Sequence, residues 1–259
     1  MNRYVFGPVS SRRLGKSLGI DLLPYKTCSY NCVYCECGAT TDLTITRQDF
    51  FPLKDILAEL DRVLVKKPNL DYITFAGSGE PTLSRLLGPV IRHLKEHYPW
   101  YHVAVLTNGT LCMLPEVRSD LLPADLIIPT IPASDQAMQD RIFRPYHNIS
   151  VSSIKSGLVA LRKEFSGQLW AEVFLVPGIN TGKDELIHSR ETIISIRPDL
   201  IQLNSLDRPG TEPWVCPVQR LELIQIRDFF AETGIPTDIA GFGQRGGFFS
   251  HTHEHLVIS

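Results

Sequence analysis

The chain has 259 residues, of which 43% are hydrophobic and 21% are charged, so it can bury a core in one large domain or two small ones. Its formal net charge of −2 argues against broad electrostatic wrapping of nucleic acid, although a local basic patch could still bind a small folded RNA. No run of 18 apolar residues occurs, and the N-terminus lacks the uninterrupted apolar core of a signal peptide. We therefore expect a cytoplasmic protein without a membrane span.

Six short apolar segments along the chain are typical of buried parallel strands. They cover residues 17–23, 72–76, 102–107, 125–130, 169–176 and 200–205. Amphipathic helical patterns alternate with them at residues 52–67, 83–98, 151–165, 183–196 and 218–234. Because right-handed crossovers place such helices outside the strands, this alternation predicts an α/β fold whose parallel β/α units curl into a full or partial barrel.

Unusual residues follow the ends of five of these strands. The stretches are "TCSYNCVYCECG" (27–38), "GSGEP" (77–81), "NG" (108–109), "PGIN" (177–180) and "NSLDRPG" (204–210). In parallel barrels the chemistry lies at the C-terminal ends of the strands, so we expect one functional edge. We further expect a core domain over residues 1–240 and a short C-terminal extension over 241–259 near the barrel mouth.

The first of these stretches carries three cysteines, Cys28, Cys32 and Cys35, in the spacing C-x3-C-x2-C. In a reducing cytosol, clustered thiols usually bind metal rather than form disulfides. Steps of four and three residues bring the three sulfurs to one side of a compact loop that enters a helix. A structural zinc site needs four closed ligands, whereas three thiolates on a [4Fe-4S] cluster leave one iron open to a substrate. A zinc or non-catalytic iron–sulfur protein stays open as an alternative.

The motif C-x3-C-x-aromatic-C, with Tyr34 just before the last cysteine, resembles the signature of the radical SAM superfamily. The resemblance implies a partial (β/α)6 barrel of the TIM type, a [4Fe-4S] cluster held by Cys28, Cys32 and Cys35, and S-adenosylmethionine (SAM) bound to the fourth iron. In that family, one electron from the reduced cluster cleaves SAM to methionine and a 5′-deoxyadenosyl radical, which abstracts a hydrogen atom from the substrate.

Further segments resemble the SAM-binding motifs of that family. "GSGEPTL" (77–83) is similar to the GGEP motif that holds the SAM amino group, and "IIPTIPASD" with "FRP" is similar to a segment that binds the ribose, although Pro132 replaces its usual aspartate and Arg144 has no assigned role. "FLVPGIN" and "QLN" are similar to the region that contacts the adenine. An ordinary turn or a core position stays an alternative for several of them. The candidate cofactor-binding residues are Tyr34, Gly77, Ser78, Gly79, Glu80, Asn108, Thr130, Val176 and Asn204.

The remaining reactive side chains are scattered. The tail "HTHEH" places His251, His253 and His255 on one side if it is a strand, where they could hold a metal or shuttle protons near the substrate. A solvated tail is the commoner explanation for terminal histidines. Arg245 could bind a carboxylate or phosphate of the substrate, and a surface position is the alternative. We expect Cys112 and Cys216 to be small buried hydrophobes. We expect Cys37 to have no role, and a spare thiol near the cluster or a substrate contact stays an alternative. The basic run Arg12, Arg13 and Lys16 is interpreted as a solvated patch.

Most of the chain, from "FGPVSSRRLGKSLGIDLLPYKTCSYNCVYC" onward, resembles a group of iron–sulfur oxidoreductases labelled wyosine-synthase-like, after a tRNA-modifying enzyme. The short C-terminus lacks the nucleic-acid-binding region that such proteins often carry, so we rank a small-molecule or peptide substrate above tRNA. Neither a flavodoxin-like nor a cobalamin domain is recognised. The resemblance therefore implies a separate electron donor, such as flavodoxin or ferredoxin.

Overall fold

The computed structural model describes residues 4–241. Its strands are β1 (Val5–Ser11), β2 (Gly15–Ile20), β3 (Thr27–Cys28), β4 (Asp42–Leu43), β5 (Tyr72–Phe75), β6 (His102–Thr107), β7 (Leu126–Pro129), β8 (Gln168–Leu175), β9 (Leu200–Ser205) and β10 (Thr237–Ile239). Its α-helices are α1 (Leu53–Leu64), α2 (Leu87–His97), α3 (Pro115–Leu121), α4 (Gln136–Ile142), α5 (Val151–Glu164), α6 (Lys183–Ile196) and α7 (Arg220–Ala231). No helix among these residues is both long enough and apolar enough to cross a bilayer.

Eight strands form the main sheet, in the order β1-β2-β5-β6-β7-β8-β9-β10. The strands from β2 to β10 run parallel, and β1 pairs with β2 in the antiparallel direction at one margin. Within residues 4–241, β1 and β10 do not pair with each other, so the sheet stays open. The six predicted parallel strands are all present and a seventh, β10, joins them. The prediction of a partial barrel is therefore confirmed.

The two faces of the strands bury different residues, as the alternation of side chains along a strand requires. Helices cover one face: α1, for example, buries Ile56, Leu60 and Leu64, which recur every four residues along one side of the helix. The other face carries a second, smaller apolar cluster. It comprises Leu14, Tyr72, Ala104, Leu126, Ile128, Trp170 and Leu200. Helices thus lie outside the curled sheet, as expected.

The observed elements differ from the predicted ones in several places. The helix expected over 83–98 begins at Leu87, because residues 81–83 form a short 3-10 turn in which the Thr82 N–H donates to the Glu80 side chain. Six strands and helices were not predicted: β1, β3, β4, β10, α3 and α4. The pair β3 and β4 forms a separate two-stranded parallel sheet, which fixes the first cysteine of the predicted site in an ordered backbone.

Candidate active site

The cysteine loop follows β2 at the C-terminal edge of the parallel sheet. Buried Tyr30 and Val33 anchor the loop to the core, while Cys28, Cys32, Cys35 and the neighbouring Cys37 are only partly buried. Tight turns shape its second half, in which the Cys35 N–H donates to the Cys32 carbonyl at 3.2 Å. The apolar residues of the loop therefore point into the core and leave the thiols near the surface.

The electrostatics of the thiols show that they share one site. Burial raises the pKa of Cys28 to about 12, and the charge of Glu80 adds to this. Burial also raises the pKa of Cys32 well above its usual value, with further contributions from Cys28 and Cys35. By contrast, a hydrogen bond with the Cys37 thiol lowers the pKa of Cys35 to about 5; burial opposes this shift and Lys26 supports it. The pKa of Cys35 is thus lowered while those of Cys28 and Cys32 are raised, and metal coordination deprotonates cysteine thiols.

The donor set fits an iron–sulfur cluster. Three cysteine thiols lie on one short loop next to further hydrogen-bond donors: the Tyr30 N–H lies 3.5 Å and the Asn108 Nδ2 3.7 Å from the Cys28 sulfur. Hydrogen bonds to the ligating sulfurs are a regular feature of such clusters. Between residues 4 and 241, no three His, Cys, Asp or Glu side chains are arranged to hold a single metal ion.

Lys26 lies beside this thiol group. Its side chain is buried, with 2% exposure, and its Nζ donates to the Cys35 sulfur at 3.1 Å. Burial lowers the pKa of Lys26, but the hydrogen bond to Cys35 and the charges of Cys35, Cys28 and Cys37 outweigh it, so the pKa is raised overall. No local pattern in the sequence singles out this lysine.

The glycine-rich turn after β5 packs directly on the cysteine loop. A Cβ at Gly79 would lie 1.9 Å from the carbonyl oxygen of Thr27, and one at Gly77 would lie 2.4 Å from the carboxylate of Asp21. The same carboxylate accepts hydrogen bonds from the N–H and the hydroxyl of Ser78, both at 2.9 Å. Only glycine allows this approach at 79, so the turn and the cysteine loop hold each other in register.

Glu80 connects the turn to the end of β6. Its buried carboxylate accepts hydrogen bonds from Thr82 and Thr107, and from the backbone N–H of Asn108 at 2.7 Å. Burial raises the pKa of Glu80. These hydrogen bonds oppose the shift, and the largest opposing contribution comes from the Asn108 N–H. The Asn108 side chain in turn donates to Ser29 Oγ at 2.8 Å. Three separately predicted residues, Cys28, Glu80 and Asn108, therefore belong to one network.

Replacing Glu80 with glutamine is expected to lower the free energy of unfolding by about 1–3 kcal/mol, because the new amide N–H2 would face a donor that now binds the carboxylate. Chemical denaturation measures this loss. The matched control is Glu96→Gln, at an exposed position of α2, for which we expect no significant change. Equal unfolding free energies for the two variants would contradict the role of Glu80.

Thr130 and Asn204 meet at a residue that sequence reasoning missed. The Glu172 carboxylate on β8 accepts hydrogen bonds from Thr130 Oγ1 at 2.5 Å and Asn204 Nδ2 at 2.9 Å, and it pairs with Arg13 at 2.6 Å. A single carboxylate inside the apolar run "LWAEVFLV" was the signal that could have pointed to Glu172.

The interpretation of the basic run as solvated is wrong for Arg13, because Arg13 pairs with the buried Glu172 carboxylate. Arg12 instead pairs with Glu36 and Asp207 at the surface.

The aromatic residue of the cysteine motif stacks on the sheet. The rings of Tyr34 and Phe174 are 3.6 Å apart and nearly parallel, at 9°. Gly210, in the loop after β9, lies against the Tyr34 backbone, where an added Cβ would meet it at 3.0 Å. Val176, by contrast, is 1% exposed and belongs to the main core, so the structure does not bring its side chain to the open edge. Its contact with a cofactor stays a prediction.

Among residues 4–241, the remaining predicted residues take no part in the contacts described so far. Cys112 is fully buried, as expected, but Cys216 is exposed in the loop between β9 and α7, so that prediction was wrong. Arg144 pairs with Glu212 at 2.5 Å. The predictions for Arg245, His251, His253 and His255, and the extension over 241–259 beyond its first residue, lie outside the described residues.

Fold and site together define a class: partial-barrel proteins that carry a cysteine loop at the C-terminal edge of the sheet. The sequence model of the radical SAM superfamily matches residues 22–189, and the chain therefore belongs to the radical SAM superfamily. Membership brings SAM and a [4Fe-4S] cluster as the cofactors of the protein.

Two sequence relatives cover most of the chain. The GTPase Obg of Brachyspira hyodysenteriae is 39% identical over 258 residues, which are 98% of this chain and 38% of that protein. The UPF0026 protein of Methanocaldococcus jannaschii is 34% identical over 229 residues, which are 88% of this chain and 71% of that protein. This chain thus spans well under half the length of the first relative. The resemblance to the wyosine-synthase-like group stays a prediction.

Solved structures share the fold at low sequence identity. A radical SAM methyltransferase from Sphaerobacter thermophilus gives a TM-score of 0.67 at 14% identity, over 86% of this chain and 65% of that one. Streptococcus suis SuiB bound to the precursor peptide SuiA gives a TM-score of 0.64 at 12% identity, over 85% of this chain and 48% of SuiB. SuiB bound to SAM gives a TM-score of 0.62 at 11% identity, over 85% of this chain and 50% of SuiB. These similarities agree with the partial barrel.

Proposed function

We propose that this protein is an enzyme in which Cys28, Cys32 and Cys35 hold the [4Fe-4S] cluster and neighbouring loops hold SAM, so that a hydrogen atom is removed from a small-molecule or peptide substrate. When bound, the reduced cluster cleaves SAM and thereby supplies a 5′-deoxyadenosyl radical. One observation carries the proposal: three partly buried thiols share one loop, and the glycine-rich turn after β5 packs against that loop.

Each remaining part of the site has a role in this proposal. The turn over 77–79 would present its backbone groups to the SAM amino acid moiety, and Gly79 lets this turn lie directly against the cysteine loop. Glu80 holds that turn against the end of β6 through its hydrogen bonds from Thr107 and from the Asn108 N–H, and its two hydrogen bonds from Thr82 fix the chain that follows. Thr130, Glu172 and Asn204 form a polar group whose hydroxyl, carboxylate and amide are suited to the ribose hydroxyls.

The substrate class rests on charge and on the shared fold. The net charge of −2 does not favour a polyanionic nucleic acid, which is why tRNA modification remains the second choice. The same fold accommodates a precursor peptide in SuiB. A separate electron donor, such as a flavodoxin or ferredoxin, supplies the electron.

Anaerobic reconstitution of the full chain tests the proposal. We expect protein with iron and sulfide in equal amounts, a broad visible absorption of the cluster, and formation of 5′-deoxyadenosine from SAM when dithionite is added. Iron-loaded protein that leaves SAM intact would support a non-catalytic role instead. Protein purified without oxygen that contains zinc and no iron would contradict the proposal altogether.

A further inference from the structure

Lys26 is held rigidly next to the thiol group by its own backbone. The residue adopts a left-handed conformation, with φ of 59°, which is uncommon for a side chain of this size. Its carbonyl oxygen accepts hydrogen bonds from the N–H groups of Thr41 and Asp42, both at 3.1 Å. These contacts fix the start of the cysteine loop, and with it the direction in which the lysine side chain leaves the backbone.

The position of the Lys26 ammonium requires a negative partner. A buried cation is costly unless an anion and hydrogen bonds compensate for the lost water. Among the described residues, no carboxylate oxygen pairs with Lys26, and its hydrogen-bond partner is the Cys35 sulfur at 3.1 Å. The compensating charge must therefore come from the thiolates and from what they bind.

We infer that Lys26 is the counter-ion of the iron–sulfur cluster, and that its hydrogen bond to the Cys35 sulfur makes the cluster easier to reduce. The inference rests on the proposed function. Reduction takes one electron from an external donor and adds one negative charge to the cluster, with no bond made or broken. A fixed cation beside a ligating sulfur stabilises the reduced form more than the oxidised form. Hydrogen bonds to the sulfurs are an established influence on cluster potentials.

A redox titration of the reconstituted protein in the absence of SAM tests this inference. The electron paramagnetic resonance signal of the reduced cluster is followed as dithionite is added with mediators. Lys26→Met keeps most of the length of the side chain without its charge. For this variant we expect an equilibrium constant for reduction that is at least tenfold smaller, which is a negative shift of the midpoint potential by at least about 59 mV for one electron. Lys26→Arg should stay close to the wild type. Lys54→Met, at an exposed position of α1, is the matched control.

The outcomes separate the possible roles of Lys26. A fully iron-loaded Lys26→Met protein with the wild-type midpoint potential overturns the inference, as does one that only binds SAM more weakly. If Lys26→Met takes up no iron while Lys26→Arg does, the requirement for the charge is supported. If neither takes up iron, Lys26 serves packing and the counter-ion role is overturned. A wild-type protein that forms no cluster is a failure of the proposed function, and it is recognised before any variant is measured.

Discussion

Alanine at Cys32 is expected to abolish both iron binding and the formation of 5′-deoxyadenosine, down to background. A cluster held by three thiolates has one open iron; with two thiolates, a second iron loses its protein ligand and the cluster is no longer retained. The same result is expected for Cys28→Ala and Cys35→Ala. Iron content and visible absorption after anaerobic reconstitution measure the first effect, and chromatography of the SAM products measures the second.

Two other cysteines provide matched controls for this series. Cys216→Ala removes an exposed thiol and Cys112→Ala a fully buried one, and both variants should keep the cluster and SAM cleavage. If Cys32→Ala retains iron and cleavage at the wild-type level, the assignment of the ligands is wrong. If Cys216→Ala loses the cluster or SAM cleavage, Cys216 contributes to the cluster site, which its exposed position does not suggest.

Gly79→Ala is expected to have the next largest effect. The added Cβ would lie 1.9 Å from the Thr27 carbonyl oxygen, and because that oxygen belongs to backbone, the turn and the cysteine loop must separate. Overpacking of this kind costs about 3 kcal/mol at the upper end of its usual range. A displacement of roughly 1 Å at a catalytic site lowers rates by about 100-fold, so SAM cleavage should fall by that order.

Gly182→Ala tests whether the loss is specific to the close approach at Gly79. Nothing lies within 4 Å of a Cβ at Gly182, which has an ordinary φ of −71° just before α6. Chemical denaturation and a SAM cleavage assay on the two variants give the comparison. Wild-type cleavage by Gly79→Ala would show that the turn is not pressed against the cysteine loop.

The sequence predicted best those strands whose residues are nearly all buried. Strands buried on both faces are continuously apolar, so six of the seven parallel strands of the main sheet were predicted, with boundaries within three residues of those observed. The strand β1 was missed because five of its seven residues are exposed, and β10 because it has three residues. Both α3 and α4 have seven residues, too few for a helical period to stand out.

The candidate site could be predicted only where its residues are neighbours in sequence. The spacing of the three cysteines and the turn after β5 are local patterns. The contact of Arg13 with Glu172 joins the first hairpin to β8, and no periodicity within either segment indicates it. The role of Glu172 as a common acceptor for Thr130 and Asn204 depends in the same way on strands β7, β8 and β9 lying side by side in the sheet.

The outermost position of β1 has a consequence for how the protein behaves in solution. A marginal strand offers free N–H and C=O groups to which another chain can add, which is a route to aggregation. Pro8 in β1 has no N–H to donate, and the pairing of β1 with β2 shifts its register between Phe6 and Val9. An irregular margin with a proline is a poor template for a further strand. The sheet can therefore stop at β1 without recruiting a second molecule to complete it.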